Sequence, residues 1–209
     1  MAPNFTQTPD ELKLLTTMQI SPIHALLLVL TFPVLAAERL PDAARRQIGV
    51  TVNYDPSYTA IPYPGGDVPM ETGVCSDVTV RALRVLGLDL QKEMHEDIRR
   101  NFSAYPCRRM WGQRKPDRNI DHRRVPNQEV YFKRRGWSKP VTKNPADYLP
   151  GDIVTCLIGD SIPHVMIVSD RKSEVGAPLC FHNIGMGTEE EDCLFDFTIT
   201  GHFRPVLRK

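Results

Sequence analysis

The chain changes its period halfway along, and that change limits its fold more than any other feature. Val78, Ala82, Val85 and Leu86 share one face of a helical segment, 76–86, that Gly87 ends. Behind Asp89, a good helix cap, Leu90, Met94, Ile98 and Phe102 recur every four residues until Pro106. A shorter helix, 41–48, is begun by Pro41 and closed by Gly49, and 127–135 is a further helical segment stopped by Gly136. After Pro150 the pattern becomes short β-prone runs: 152–158, 164–169, 179–183, 194–197 and 199–204. Gly159-Asp160, Gly176-Ala177-Pro178 and Gly185-Met186-Gly187 divide them. Helices first and strands second predicts an α+β fold, with N-terminal helices packed on a small antiparallel sheet.

A length of 209 residues suits one domain with a real core. A formal charge of +1 gives no electrostatic case for a nucleic-acid partner. Residues 1–37 differ from the rest: the apolar run 25–35 leads to Val34-Leu35-Ala36-Ala37 and then to charged Glu38-Arg39. An apolar stretch of about 7 to 15 residues followed by small ones reads as a secretory signal, cleaved after Ala36 or Ala37. An uncleaved N-terminal anchor or a buried helix are the alternatives, because the segment before the run carries Lys13 but also Asp10 and Glu11. The expected organisation is therefore a signal peptide or anchor, 1–37, and a single domain, 38–209, in a periplasmic or secreted protein. No membrane contact beyond that possible anchor is expected.

Five cysteines in an exported chain leave at least one unpaired if all disulfides are internal. Cys75 is the candidate for the free thiol, while Cys107, Cys156, Cys180 and Cys193 form two bridges or none. Gly73-Val74-Cys75-Ser76-Asp77 puts Cys75 where a turn enters a helix, and helix N-terminal amides favour thiolate. A thiol nucleophile needs a base, and the base needs a group to orient it. His164 opens an apolar run and is the candidate base; His182 is the candidate orienting residue. Asn183 is its rival, since neighbours on a strand face opposite ways and both reach Cys75 only through a bulge.

The order helix-Cys, strand-His, strand-His, with Pro150-Gly151-Asp152-Ile153-Val154 heading the first strand, resembles the NlpC-type cell-wall peptidases of the papain-like superfamily. Tyr63-Pro64-Gly65-Gly66 is similar to an element of those peptidases whose tyrosine lies near the oxyanion site. More closely, four stretches resemble the YijF-like bacterial family of unknown function (domain-of-unknown-function family 1287). These are Gly73-Val74-Cys75-Ser76-Asp77-Val78, the polar series 116–127, Gly151-Asp152-Ile153-Val154 and His182-Asn183-Ile184-Gly185. The resemblance covers about residues 43–204 and implies a papain-like fold in an exported bacterial protein. The more distant peptidase resemblance implies Cys75 as nucleophile, His164 as base, His182 as third residue and Tyr63 as oxyanion donor. Against the peptidases, Met166 stands where a glycine is usual, which would narrow the cleft, and the insertion 88–149 would cover it.

Arg118, His122, Arg123 and Arg124 read either as a binding site for a carboxylate-bearing substrate such as a peptidoglycan stem peptide, or as ion-pair partners of Asp117 and Asp121. The leading expectation is a thiol hydrolase cleaving an amide bond in peptidoglycan peptides without a cofactor or metal. A non-catalytic wall-binding protein on the same scaffold is the alternative. A zinc site built on Cys75 and two imidazoles ranks last, because no short paired-ligand spacing is present.

Overall fold

A computed structural model describes residues 39–207; the expected signal or anchor, residues 1–37, lies outside them. The helices are α1 (Leu40–Arg45), α2 (Cys75–Val85), α3 (Leu90–Arg100), α4 (Cys107–Trp111) and α5 (Val125–Arg134). The strands are β1 (Asn53–Tyr54), β2 (Thr72–Gly73), β3 (Ser138–Lys139), β4 (Ile153–Ile158), β5 (Ile162–Lys172), β6 (Pro178–His182), β7 (Glu189–Glu191) and β8 (Thr198–Phe203). β1 and β2 form a short parallel pair, and the other six strands make an antiparallel sheet in the order β3-β8-β4-β5-β6-β7. The molecule is thus α+β, helices before sheet. No helix among the described residues is long and apolar enough to cross a membrane.

Alternation along β5 divides the core. Val165 and Ile167 join Ile153, Phe181 and Phe203 on the face covered by α1, α2 and α5, with α3 packed against α2 and α5, whereas Met166 and Val168 join Val154, Cys156, Cys180, Cys193 and Leu194 on the other. Met166 is fully buried in that second cluster, so it fills a core instead of narrowing a cleft. The insertion also differs from expectation. Its α5 supplies Phe132, which stacks on Trp137 at 5.4 Å and meets Phe203 at 5.3 Å, so part of the insertion builds the helical layer.

The Pro150-Gly151-Asp152 motif has a clear structural task. Gly151 takes φ +87°, a conformation that favours glycine, and turns the chain into β4. Buried Asp152 then accepts from Leu149 N–H at 2.8 Å, from His202 Nε2 at 2.7 Å and from Arg204 Nε and Nη2 at 2.7 Å each. One carboxylate thereby ties the start of β4 to the end of β8.

Residues 194–197 are a turn, and the edge strand is instead the acidic β7. Glutamate has little strand preference of its own. Side-chain partners hold it there: Glu190 meets Arg45 and Arg171, each at 3.2 Å, as well as Ser169, and Glu191 meets His182.

Candidate active site

α2 is more deeply buried than a single apolar stripe requires. Every residue of it from Cys75 through Leu83 is buried, and Val85, expected to face inward, is exposed. Its polar side chains therefore need partners. Asp77 accepts from Val74 N–H at 2.7 Å and takes a two-pronged ion pair from Arg123, at 2.8 and 2.9 Å. Ser76 Oγ donates to Arg123 O at 2.6 Å, and Arg81 binds Asp67, Thr51 and Thr72 O. Two loops are fastened in this way around the first turn of α2, where Cys75 sits.

Cys75 is 5% exposed. Burial pushes its thiol up to about 11, against the opposing pull of hydrogen bonds from the amides of Val165, Ser76 and Cys75 itself. The expectation that the helix terminus makes a resting thiolate is reversed by desolvation. Val165 directly follows His164, so the sulfur rests on the backbone of the strand that carries the candidate base. Side chains alternate along β5, however, and His164 projects to the opposite face, with Met166 and Val168, so the structure does not bring the expected base to Cys75. No hydrogen bond from Cys75 to an imidazole is present among the described residues.

His164 and His182 do meet: His164 Nε2 lies 3.0 Å from His182 Nδ1. Burial, then the neighbouring His182, lowers His164 to about 3, so its resting ring is neutral. Burial also works against charge on His182, but Cys193 and Glu191 outweigh it and raise that ring. Its Nε2 is shared by Glu191 Oε2 at 2.8 Å and Cys193 Sγ at 3.5 Å. Asn183 turns the other way, donating to Gly73 O at 3.1 Å and accepting from Gly185 N–H, and so clamps the strand that leads into Cys75.

Tyr63 packs edge-on against His95 and under Arg118, beside α3. The turn after it is bonded to Asp89, Gln91 and Arg84. Arg84 is nine residues along α2 from Cys75, about 13 Å at the usual helical rise. A nearer tyrosine along the fold is Tyr54, whose strand pairs it with Gly73, two residues before Cys75, and whose phenol is raised by burial and then by Cys75. Nothing in a two-residue strand announces it in the sequence. Glu191, which completes the polar chain behind His182, was equally hidden in an acidic run.

The polar series resolves residue by residue. Arg123 also donates to Ser57 O and Asp55 O, and is wholly occupied in fastening loops. His122 is buried and lowered to about 3, by burial and then by Arg123. Arg124 stacks over Trp111 at 4.0 Å and pairs with Asp121 at 3.5 Å. Of these four candidate substrate-binding residues, Arg118 alone is exposed. All five cysteines are free thiols, and among the described residues no group of three or more His, Cys, Asp or Glu side chains is arranged to hold a metal ion.

Residues 41–205 match the family described as Domain of unknown function (DUF1287). The chain is also similar to a protein of Escherichia coli (strain K12) named Uncharacterized protein YijF. The two are 52% identical over 169 residues, which is 81% of this chain and 82% of that relative.

Proposed function

The chain belongs to the DUF1287 family, and on that premise we propose that it is an exported thiol hydrolase of papain-like, NlpC-type fold that cleaves an amide bond in peptidoglycan peptides. The observation that carries this reading is the 3.0 Å contact of His164 with His182, on the strand whose Val165 amide holds the Cys75 sulfur. The apolar run 25–35 supports export to the periplasm or cell surface.

Cys75 and His164 rest as neutral thiol and neutral imidazole, so activation accompanies attack. With His164 Nε2–H donating to His182 Nδ1, and His182 Nε2–H donating to Glu191, the His164 Nδ1 lone pair is free to act as a base. Alternation along β5 and β6 sets both imidazoles on the face of Met166 and Val168 while Cys75 packs with Val165 on the other, so attack requires substrate binding to bring His164 around the strand to the Cys75 thiol. The sulfur bonds to the amide carbon and the tetrahedral oxygen takes hydrogen bonds from Tyr54 and the Cys75 amide. His164 then returns the proton to the departing amine as the C–N bond breaks, and water cleaves the thioester. A groove of about 750 Å³ lined by Val141, Lys143, Phe195, Phe197 and Ile199 offers apolar surface and one cation to the peptide. Phe197 links it to the site, its ring centroid lying 6.2 Å from that of His164.

A wall-binding protein without turnover is the second reading, favoured by the sealed, raised thiol of Cys75. Acid-quenched intact-mass analysis after incubation with digested wall fragments separates the two. The hydrolase gives an acyl adduct on Cys75 that is absent from Cys75→Ala. Sedimentation with wall material that persists in Cys75→Ala, without adduct or released fragments from wild type, overturns the hydrolase.

A further inference from the structure

Outside the nucleophile stands a second group of sulfur atoms that the proposed reaction leaves unused. Cys180 lies on β6 two residues before His182 and therefore shares its face of the sheet. Its Cα register partner is Glu191, two residues before Cys193, and both thiols belong to the cluster on the face away from the helices. Cys180 and Cys193 pack in one buried cluster, and the Cys193 sulfur is also 3.5 Å from His182 Nε2. Cys193 is thus held between a thiol and an imidazole.

We propose that Cys180 and Cys193 form a reversible dithiol–disulfide couple, and that closing the disulfide removes the Cys193 sulfur from the His182 ring. The inference that this governs turnover rests on the hydrolase reading; formation of the bond does not.

The reduced pair is poised for exchange. The neighbouring Cys180 thiol, opposed by burial and then reinforced by His182, draws Cys193 downward, while Cys193 and burial push Cys180 well up. Cys193 is the attacking sulfur and is 6% exposed, next to exposed Asp192; Cys180 is sealed. The oxidant is an external disulfide, either a small molecule such as oxidised glutathione or a thiol–disulfide oxidoreductase. Cys193 thiolate attacks it, one S–S bond breaks, and one thiol leaves carrying a proton. Cys180 then gives up its proton and attacks the mixed disulfide, releasing the second thiol, so two electrons and two protons pass to the oxidant.

The consequence is set by the groups that face His182: His164 from β5, Glu191 from β7, Cys193 beyond it and Cys180 on its own strand, with Cys156 of β4 against the two sulfurs. A negatively charged Cys193 favours the imidazolium. A doubly protonated His182 must donate Nδ1–H to His164 Nε2, which forces the neutral His164 to carry its proton on Nδ1 and denies it the role of base. The disulfide removes that charge, leaves Glu191 as the remaining group that favours the imidazolium, and so enlarges the share of molecules in which His164 is free. Oxidation thus raises the activity of the site.

The test is to equilibrate the protein in glutathione buffers of graded potential, trap free thiols in acid with N-ethylmaleimide and map the peptides. A Cys180–Cys193 disulfide with one two-electron transition, absent from Cys180→Ser and Cys193→Ser, is expected. NMR titration of the His182 ring should then move to lower pH on oxidation. Free thiols at both positions under full oxidation, or a bond from Cys193 to Cys156 instead, overturn the couple. A correct bond with an unmoved His182 titration overturns its effect on the site. Neither readout needs turnover, so a failure of the hydrolase reading stays separate.

Discussion

Cys75 and Cys193 are nearly equally sealed, at 5% and 6% exposed, yet their thiols are pushed in opposite directions. Cys75 has the position usually taken to make a thiolate, the first turn of an eleven-residue helix. Cys193 follows a short acidic edge strand. A helix terminus contributes about 0.3–1 kcal/mol, rising to about 2 in favourable partly buried geometries. Full burial shifts a group by up to about 3–5 pH units, each about 1.4 kcal/mol. Desolvation therefore wins at Cys75, where amide donors offset only part of it. At Cys193 two side-chain neighbours, Cys180 and His182, the latter with Nε2 3.5 Å from the sulfur, overcome the penalty of burial. Whether a buried thiol ionises is decided by what touches the sulfur more than by the element that carries it.

The strongest way to break the comparison is to remove what encloses Cys75. Arg123→Met leaves Asp77 buried and without its ion-pair partner; the two side chains are 2% and 3% exposed. Loss of one member of a buried pair costs about 3–5 kcal/mol. The midpoint of urea unfolding should fall accordingly, and Asp77→Asn combined with Arg123→Met should recover part of the loss. A midpoint unchanged by Arg123→Met would mean that the pair does not hold the loops around α2.

The next effect is on chemistry at Cys75 and decides between two tyrosines. Tyr54→Phe should slow acyl-adduct formation on Cys75 about a hundredfold, the order expected for one oxyanion donor. Tyr63→Phe should leave the rate unaltered, because that ring is spent on His95 and Arg118. Equal slowing by both would return Tyr63 to the site.

Those two tyrosines also show what could be read from the residues alone. The limits of α2 and α3 were legible because capping and stopping residues flank a regular apolar period, and Asp89 does cap α3 through Gln91 N–H. His164 and His182 were legible as partners because two strands joined by a short glycine-containing loop pair antiparallel, and the sheet brings them to 3.0 Å. Tyr63 was misplaced because distance along a proline-rich loop says nothing of the path it takes. Residues 62–66 are drawn to α3 by Asp89 and Gln91, while Tyr54 reaches Gly73 through a strand too short to have a period. β7 was missed because cross-strand partners, not its own residues, make it a strand. The state of each thiol was out of reach of any local pattern, since it depends on which chain segments close over the sulfur.

The smallest effect sharpens the Cys193 side. Glu191 is half-exposed, so its pair with His182 contributes about 1 kcal/mol or less. Yet it helps raise His182 above the ordinary 6.5. A ring whose folded value is raised contributes stability fully present below 6.5 and lost as pH climbs through the raised value. Glu191→Gln lowers the folded value, so the variant should lose a little stability in acid and match wild type in alkali. The same change acts on rate with the opposite sense, because protonated His182 blocks His164. The acid limb of adduct formation should therefore move to lower pH in Glu191→Gln, while loss of the carboxylate's hold on the ring lowers the plateau. Urea midpoints and adduct rates measured together between pH 5 and about 9 test both signs at once. An acid limb that stays in place while stability in acid falls would show that Glu191 holds β7 to the sheet without governing the imidazole behind the reaction.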